Sequence, residues 1–248
     1  DSRKTVSIIT AVYNGEAVLE NCINSIAGQT WKDRELIVID GGSGDGTRDI
    51  IKRRQNDIDY WTSEPDEGIY DALNKGIRQA KGEWLYFLGS DDAFVDNAVL
   101  SDVFGERHDS LMLYGDVQRE PDGAIYDGEF DCAKIIRRNI CHQAIFYHRD
   151  LFERFGLYEM KYRILADWYF NLQIFAARES TRPHYLKRVI ARYSDKGVSS
   201  HTIDMAFIRD RGRIVRRLFG FRMYLHFLRT CGLDQLNLTL RDVKRRLG

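Results

Sequence analysis

Four polar clusters in this chain are spaced so that one sheet edge could hold them all: Asn14, Asp40, Glu64-Pro65-Asp66 and Ser90-Asp91-Asp92. Ser90-Asp91-Asp92 is the sharpest. Two adjacent carboxylates repel each other unless a cation sits beside them, and hard oxygen ligands suit Mg²⁺ or Mn²⁺, commonly shared with substrate phosphates. The competing reading is a helix N-cap, a position aspartate also favours. Asp40 ends an apolar run and precedes a glycine-rich turn. There it is placed to accept hydrogen bonds from a ribose hydroxyl or a base N–H, or to close an Asx turn. Asp45, just before Gly46-Thr47, fits the turn role better.

The elements that must position these groups are legible as alternating patterns. Thr5–Tyr13, Glu35–Asp40, Ile58–Thr62 and Trp84–Leu88 read as strands, the longer ones apolar on both faces. Glu16–Gly28, Thr47–Arg54 and Ile69–Ala80 carry helical periodicity. Such alternation predicts a mainly parallel sheet flanked by helices, with ligands at the carboxyl ends of the strands. All four polar clusters fall at those ends. After Leu100, Leu111–Val117, Ala144–His148 and His184–Tyr193 read as strands, and Asp150–Phe155 and Leu165–Ala177 as helices.

The 248 residues are 44% hydrophobic and 30% charged, with 3 Pro and 20 Gly, which excludes disordered, collagen-like and disulfide-scaffold classes. No apolar run reaches the ~18 residues of a membrane span, and Asp1-Ser2-Arg3-Lys4 leads into no signal-type stretch. The 4 cysteines are scattered without C-x-x-C spacing, so free thiols in a reducing cytoplasm are expected. The zero net charge hides an asymmetry: from Arg209 onward there are 11 Lys and Arg against 3 Asp and Glu. In that basic tail Ile214, Leu218, Phe221, Leu225 and Leu228 form one helical stripe. It reads either as an interfacial helix on an anionic membrane or as a helix packed on protein. Nucleic acid is not expected, because the aromatics lie on the apolar stripe and make no stacking platform.

Neither a dinucleotide G-x-G-x-x-G after the first strand nor a G-K-[ST] phosphate loop is present. The ordered series TAVYNGE (10–16), VIDGGSGDGT (38–47), SEPDEGIYDALNKGI (63–77), GSDD (89–92) and ILADW (164–168) instead resembles the inverting glycosyltransferases of family 2. The likeness is to the small bacterial members that build exopolysaccharides, capsules and O-antigens. The resemblance implies the GT-A fold in 1–205, with a nucleotide-binding half (1–100), an acceptor half (101–205), and a basic amphipathic tail (206–248). It implies a nucleotide diphosphate sugar donor, chiefly a UDP-sugar, a glycan or lipid-linked glycan acceptor, and a place in the cytoplasm or on the inner face of the plasma membrane. Carried over by position, Thr10, Val12 and Asn14 line the nucleotide pocket, Asp40 binds uridine, and Asp66 lies near the base. Ser90 and Asp91 bind the nucleotide sugar, and Asp91 and Asp92 form the DxD-type Mn²⁺ or Mg²⁺ site, Asp92 being the more direct ligand. Asp167 is the catalytic base, where relatives carry Glu-Asp. Its other reading is a carboxylate at a helix N-terminus.

Departures from the pattern bear on several residues. Leu73-Asn74 stands where relatives have Arg-Asn, leaving Lys75 or Arg78 to replace the arginine. His142 is placed near the diphosphate or acceptor and Trp168 against a sugar face, each with a competing reading as a core side chain. His201 is a weak substitute for a late metal-binding histidine. The rival functions are a sugar nucleotidyltransferase, whose G-x-G-T-R loop is missing, and a non-catalytic nucleotide-sugar-binding protein, against which carboxylates 40, 91, 92 and 167 argue.

Overall fold

The structure is a computed structural model that describes residues 5–194 and 203–247. Strands β1 (Val6–Val12), β2 (Arg34–Asp40), β3 (Tyr60–Ser63) and β4 (Trp84–Phe87) alternate with helices α1 (Leu19–Ala27), α2 (Thr47–Arg53) and α3 (Ile69–Gln79). These four strands pair in parallel in the order β3-β2-β1-β4. β1, β2 and β4 are nearly continuous buried Val, Ile, Leu and aromatic runs, as a sheet covered on both faces requires. The order reverses at β1, which opens a crevice beyond the carboxyl ends of β1 and β4.

The second half follows as β5 (Ala93–Phe94), α4 (Val99–Phe104), β6 (Met112–Glu120), β7 (Ile125–Tyr126), α5 (Cys132–Ile135), a 3₁₀ turn (His142–Ala144), β8 (Ile145–His148), α6 (Arg149–Phe155), α7 (Ala166–Ala176), α8 (Arg178–Thr181) and β9 (His184–Ser194). Its strands extend the same sheet as β4-β8-β6-β9-β5, with β7 on β6. Here only β6 and β9 pair in parallel; the rest are antiparallel. The parallel character expected of the sheet therefore belongs to its first four strands. β6 and β7, for example, are joined by the turn Pro121–Ala124, too short for a parallel crossover. One core runs through both halves: Tyr86 of β4 stacks on Phe94 and on Phe146 of β8, with ring centroids 5.0 and 4.5 Å apart.

The last element, α9 (Met205–Leu247), is broken at Gly220, whose φ of 79° and ψ of 179° only glycine adopts readily. Beyond the break the chain folds back. A Cβ at Gly212 would stand 3.4 Å from Phe227 and 3.6 Å from Tyr224, a proximity that a straight helix rising 1.5 Å per residue cannot give. The first arm docks on the body through buried Phe207, Ile214 and Val215. Arg211 donates to the carbonyls of Ile136 (2.7 Å) and Arg137 (2.8 Å) and lies over the Trp168 ring. Among the described residues no helix is long and apolar enough to cross a membrane.

Candidate active site

Asp91 and Asp92 follow β4 at the crevice. β5 pairs with β9, Ala93 opposite Arg192, and this brings the Ser194 amide to Asp92, where it donates to Oδ1 at 2.9 Å. Gln143 Nε2 donates to Asp92 Oδ2 at 2.5 Å. Asp92 is only 2% exposed; burial, with the Asp91 charge adding to it, pushes its carboxyl up to about 7. Asp91 is exposed. Asp91 thus presents the accessible carboxylate, while Asp92 turns inward and has a partner on each oxygen.

The pair nonetheless fits a divalent cation. A Cβ at Gly89 would meet Asp91 Oδ1 at 3.1 Å and Asp92 Oδ2 closer still, so both carboxylates overhang one point that glycine leaves open. Among the described residues no group of three or more His, Cys, Asp or Glu side chains could hold a metal ion. A cation here would complete its shell with phosphate oxygens and water, as Mg²⁺ commonly does.

At the other side of the crevice stands the loop after β2. Asp40 is fully buried and accepts from the Ser43 hydroxyl, from the Ser43 amide (3.2 Å) and from Ser63 Oγ (2.5 Å). Through these hydrogen bonds its carboxylate shapes the glycine turn. Asn14, at φ 51°, receives the Gly44 amide on Oδ1 (3.0 Å), while its own amide donates to Ser43 Oγ (2.7 Å). Thr10 and Val12 are buried, Thr10 facing Cys22 of α1. Alternation along β1 sets Ala11 and Tyr13 on the opposite side of the strand from them.

Tyr13 was not singled out from sequence. It is 68% exposed, and a Cβ at Gly41 would touch both its ring (3.5 Å) and Asp66 Oδ2 (2.5 Å). Its aromatic face is thus open to solvent beside a carboxylate at a strand end; the signal in the sequence was its place one residue past Val12. Asp66 also accepts from the Gly68 amide at 3.0 Å. Lys75 pairs with Glu64 (3.0 Å) and Asp71 (3.3 Å) and donates to the Pro65 carbonyl (3.2 Å), so it braces the turn that carries Asp66. Leu73 and Asn74 both face inward, Asn74 exchanging two 3.0 Å hydrogen bonds with the Tyr158 backbone.

Asp167 sits buried in the first turn of α7. Tyr70 donates its hydroxyl to Oδ1 at 2.6 Å and Asn139 Nδ2 donates to Oδ2 at 2.7 Å. Asn171 holds Asn139 (2.9 Å), and Tyr147 holds Asn171 (2.8 Å). Burial, with the Asp167 charge behind it, pushes the Tyr70 hydroxyl well up, which keeps it a donor. The segment 139–143 ties the two acidic centres together, since Asn139 holds Asp167 and Gln143 holds Asp92. Between them His142 stacks on Phe87 and shares a 2.9 Å hydrogen bond with the Tyr158 hydroxyl; burial lowers its pKa, leaving the ring neutral. Trp168, by contrast, is a packing residue. Its indole donates to the Ile135 carbonyl (2.7 Å), Phe207 packs against it and Arg211 covers its face, so no sugar can stack there. His201 lies outside the described residues.

This sheet, with its switch point at β1 and carboxylates at the neighbouring strand ends, has the GT-A architecture, and comparison with known proteins agrees. The family model "Glycosyl transferase family 2" matches residues 7–106. A PGL/p-HBAD biosynthesis glycosyltransferase of Mycobacterium tuberculosis is 41% identical over 211 residues, 82% of each chain. An uncharacterized glycosyltransferase of the same species is 34% identical over 245 residues, covering 91% of this chain and 90% of its own. Among solved structures, Staphylococcus aureus TarS 1–349 superposes with a TM-score of 0.75 at 18% identity, covering 94% of this chain and 73% of that one; of a longer TarS chain this protein spans 39%. The mannosyltransferase PcManGT of Pyrobaculum calidifontis, solved with GDP-Man and Mn²⁺, gives 0.63 at 16% identity over 100% of this chain and 81% of its own. The chain belongs to glycosyl transferase family 2, and it is a glycosyltransferase.

Proposed function

We propose that the protein transfers a sugar, with inversion, from a nucleotide diphosphate sugar to a glycan or lipid-linked glycan acceptor on the cytoplasmic side of the membrane. The observation that supports this best is the shared segment 139–143, which hydrogen-bonds Asp167 and Asp92 at once and so holds a base and a diphosphate site in fixed relation. The donor reading draws on likeness as well: TarS 1–349 has been solved with UDP and with UDP-GlcNAc, and UDP-sugars are accordingly the first donors to test. Tyr13 stacks on the base, Asp66 lies beside it, and Asp40 and Asn14 keep the glycine turn in shape beneath it.

Asp167 takes the proton of the acceptor hydroxyl as that oxygen attacks the anomeric carbon; the bond to the diphosphate oxygen breaks on the opposite face, and one displacement inverts the anomer. Asp91, with Asp92 behind it, would hold Mn²⁺ or Mg²⁺, which when bound neutralises the charge of the departing diphosphate. Two oxygens already fixed by Tyr70 and Asn139 keep the Asp167 carboxylate oriented, so little reorganisation is needed when it accepts a proton.

The test is thermal unfolding with UDP, GDP and their sugars, with and without Mn²⁺, on wild type and Asp91→Ala. A nucleotide at 100 times its Kd adds about 2.7 kcal/mol. Mn²⁺-dependent stabilisation by one nucleotide class, lost in Asp91→Ala, is the expected result. No shift with any nucleotide would overturn the donor site.

A further inference from the structure

The apolar stripe of the tail is split by Gly220. Ile214 of the first arm is buried against the body and Leu218 is packed beside it, but Phe221, Leu225 and Leu228 of the second arm are 60%, 38% and 43% exposed. Their steps of four and three residues place them on one side of the helix, away from Phe227, which is buried against the first arm. Arg222 and Arg229 of the same arm are exposed and, among the described residues, pair with no carboxylate. The region from Arg209 on carries 11 basic against 3 acidic residues.

We propose that this second arm of α9 docks the enzyme on an anionic lipid bilayer, with Phe221, Leu225 and Leu228 entering the boundary between headgroups and acyl chains and the arginines meeting lipid phosphates. An exposed apolar trio flanked by exposed guanidiniums matches such an interface in both of its chemistries. A second copy of the chain fits it poorly, because a two-fold contact through this face brings the arginine-flanked surfaces of both copies together. A purely acidic protein or nucleic acid would engage the arginines and leave the trio in water. The inference rests on α9 alone and stands independently of the donor and of Asp167.

Co-flotation of the full chain with phosphatidylcholine vesicles, with or without an equal part of phosphatidylglycerol, tests it. Binding to the mixed vesicles, weakened by salt and weak on phosphatidylcholine alone, is expected. Phe221→Glu/Leu225→Glu/Leu228→Glu abolishes it. Arg222→Gln/Arg229→Gln lowers it roughly 30-fold, which corresponds to about 1 kcal/mol for each arginine near the surface. Circular dichroism and melting of these variants match wild type, since the altered side chains are exposed. Absence of binding to the mixed vesicles, or binding that survives the triple substitution, overturns the proposal. Concentration-dependent dimerisation abolished by the triple substitution also overturns it, and assigns the face to a second copy.

Discussion

At the scale of single residues the site is a set of carboxylates with unequal freedom. Asp91 is open, Asp92 and Asp167 each have both oxygens engaged, and Asp40 is sealed beneath the glycine turn. Accessibility sets Asp91 apart from the other three, whose oxygens are held by donors of the protein itself. Asp167→Asn is expected to lower kcat by ~10²–10⁴-fold, the usual contribution of a positioned general base, with donor binding retained. The new amide faces the Asn139 donor, so stability falls by ~1–3 kcal/mol through an unsatisfied buried group. Steady-state kinetics beside donor titration by calorimetry separates the two effects: activity lost together with donor affinity would speak against a base.

At the scale of elements, α3 lies on the sheet through a glycine. A Cβ at Gly76 would overlap Ile9 Cγ2 and stand 3.5 Å from Ile39 Cγ1, both in the fully buried core. Alanine gains about 1 kcal/mol of helix propensity there, but overpacking a core typically costs ~1–3 kcal/mol, and the branched Ile9 side chain cannot swing aside. Gly76→Ala is therefore expected to be net destabilising, by up to ~2 kcal/mol in urea unfolding. Because α3 also carries Tyr70 and Lys75, its displacement would reach the Asp167 hydrogen bond and the Asp66 turn as well.

At the scale of the whole molecule, the first arm of α9 is fastened by a group sensitive to acid. Lys161 donates to Asp210 and, with Tyr162 (3.1 Å), holds its carboxyl below the ordinary value of 3.8, against a smaller opposing effect of burial. A lowered folded-state pKa stabilises above the unfolded value and is lost as pH falls through the folded one. Hydrogen exchange in 205–231 is thus expected to accelerate below about pH 4, the range of an ordinary aspartate. Asp210→Asn should reproduce the loosening at neutral pH, by about two- to five-fold for a partly exposed pair. Unchanged exchange in that variant would show that apolar packing alone holds the arm.

The chain's own pattern determined the Rossmann-like half and the positions of its acids. Buried β-branched runs and 3.6-residue periodicity are local properties, and strand ends fall where glycine and aspartate interrupt them. It also showed, through the order of its motifs, the family to which the chain belongs. What local pattern could not decide was direction and partnership. Thr10 and Val12 were legible as candidates, but that Tyr13 is the exposed side chain at this strand end showed only in the fold. Asp91 and Asp92 were distinguished only by β9, which arrives from a hundred residues away to offer the Ser194 amide. Two-residue β5 exists only because β9 pairs with it, and Asn139, Gln143 and Tyr70 acquire their carboxylate partners only when α3, α7 and the 139–143 segment converge. The tail's single apolar stripe became one buried and one exposed face because Gly220 turns the chain back on itself. Periodicity along a chain records which side chains avoid water; which surfaces meet which is settled by long-range packing, and here that packing distinguishes an open carboxylate from a sealed one.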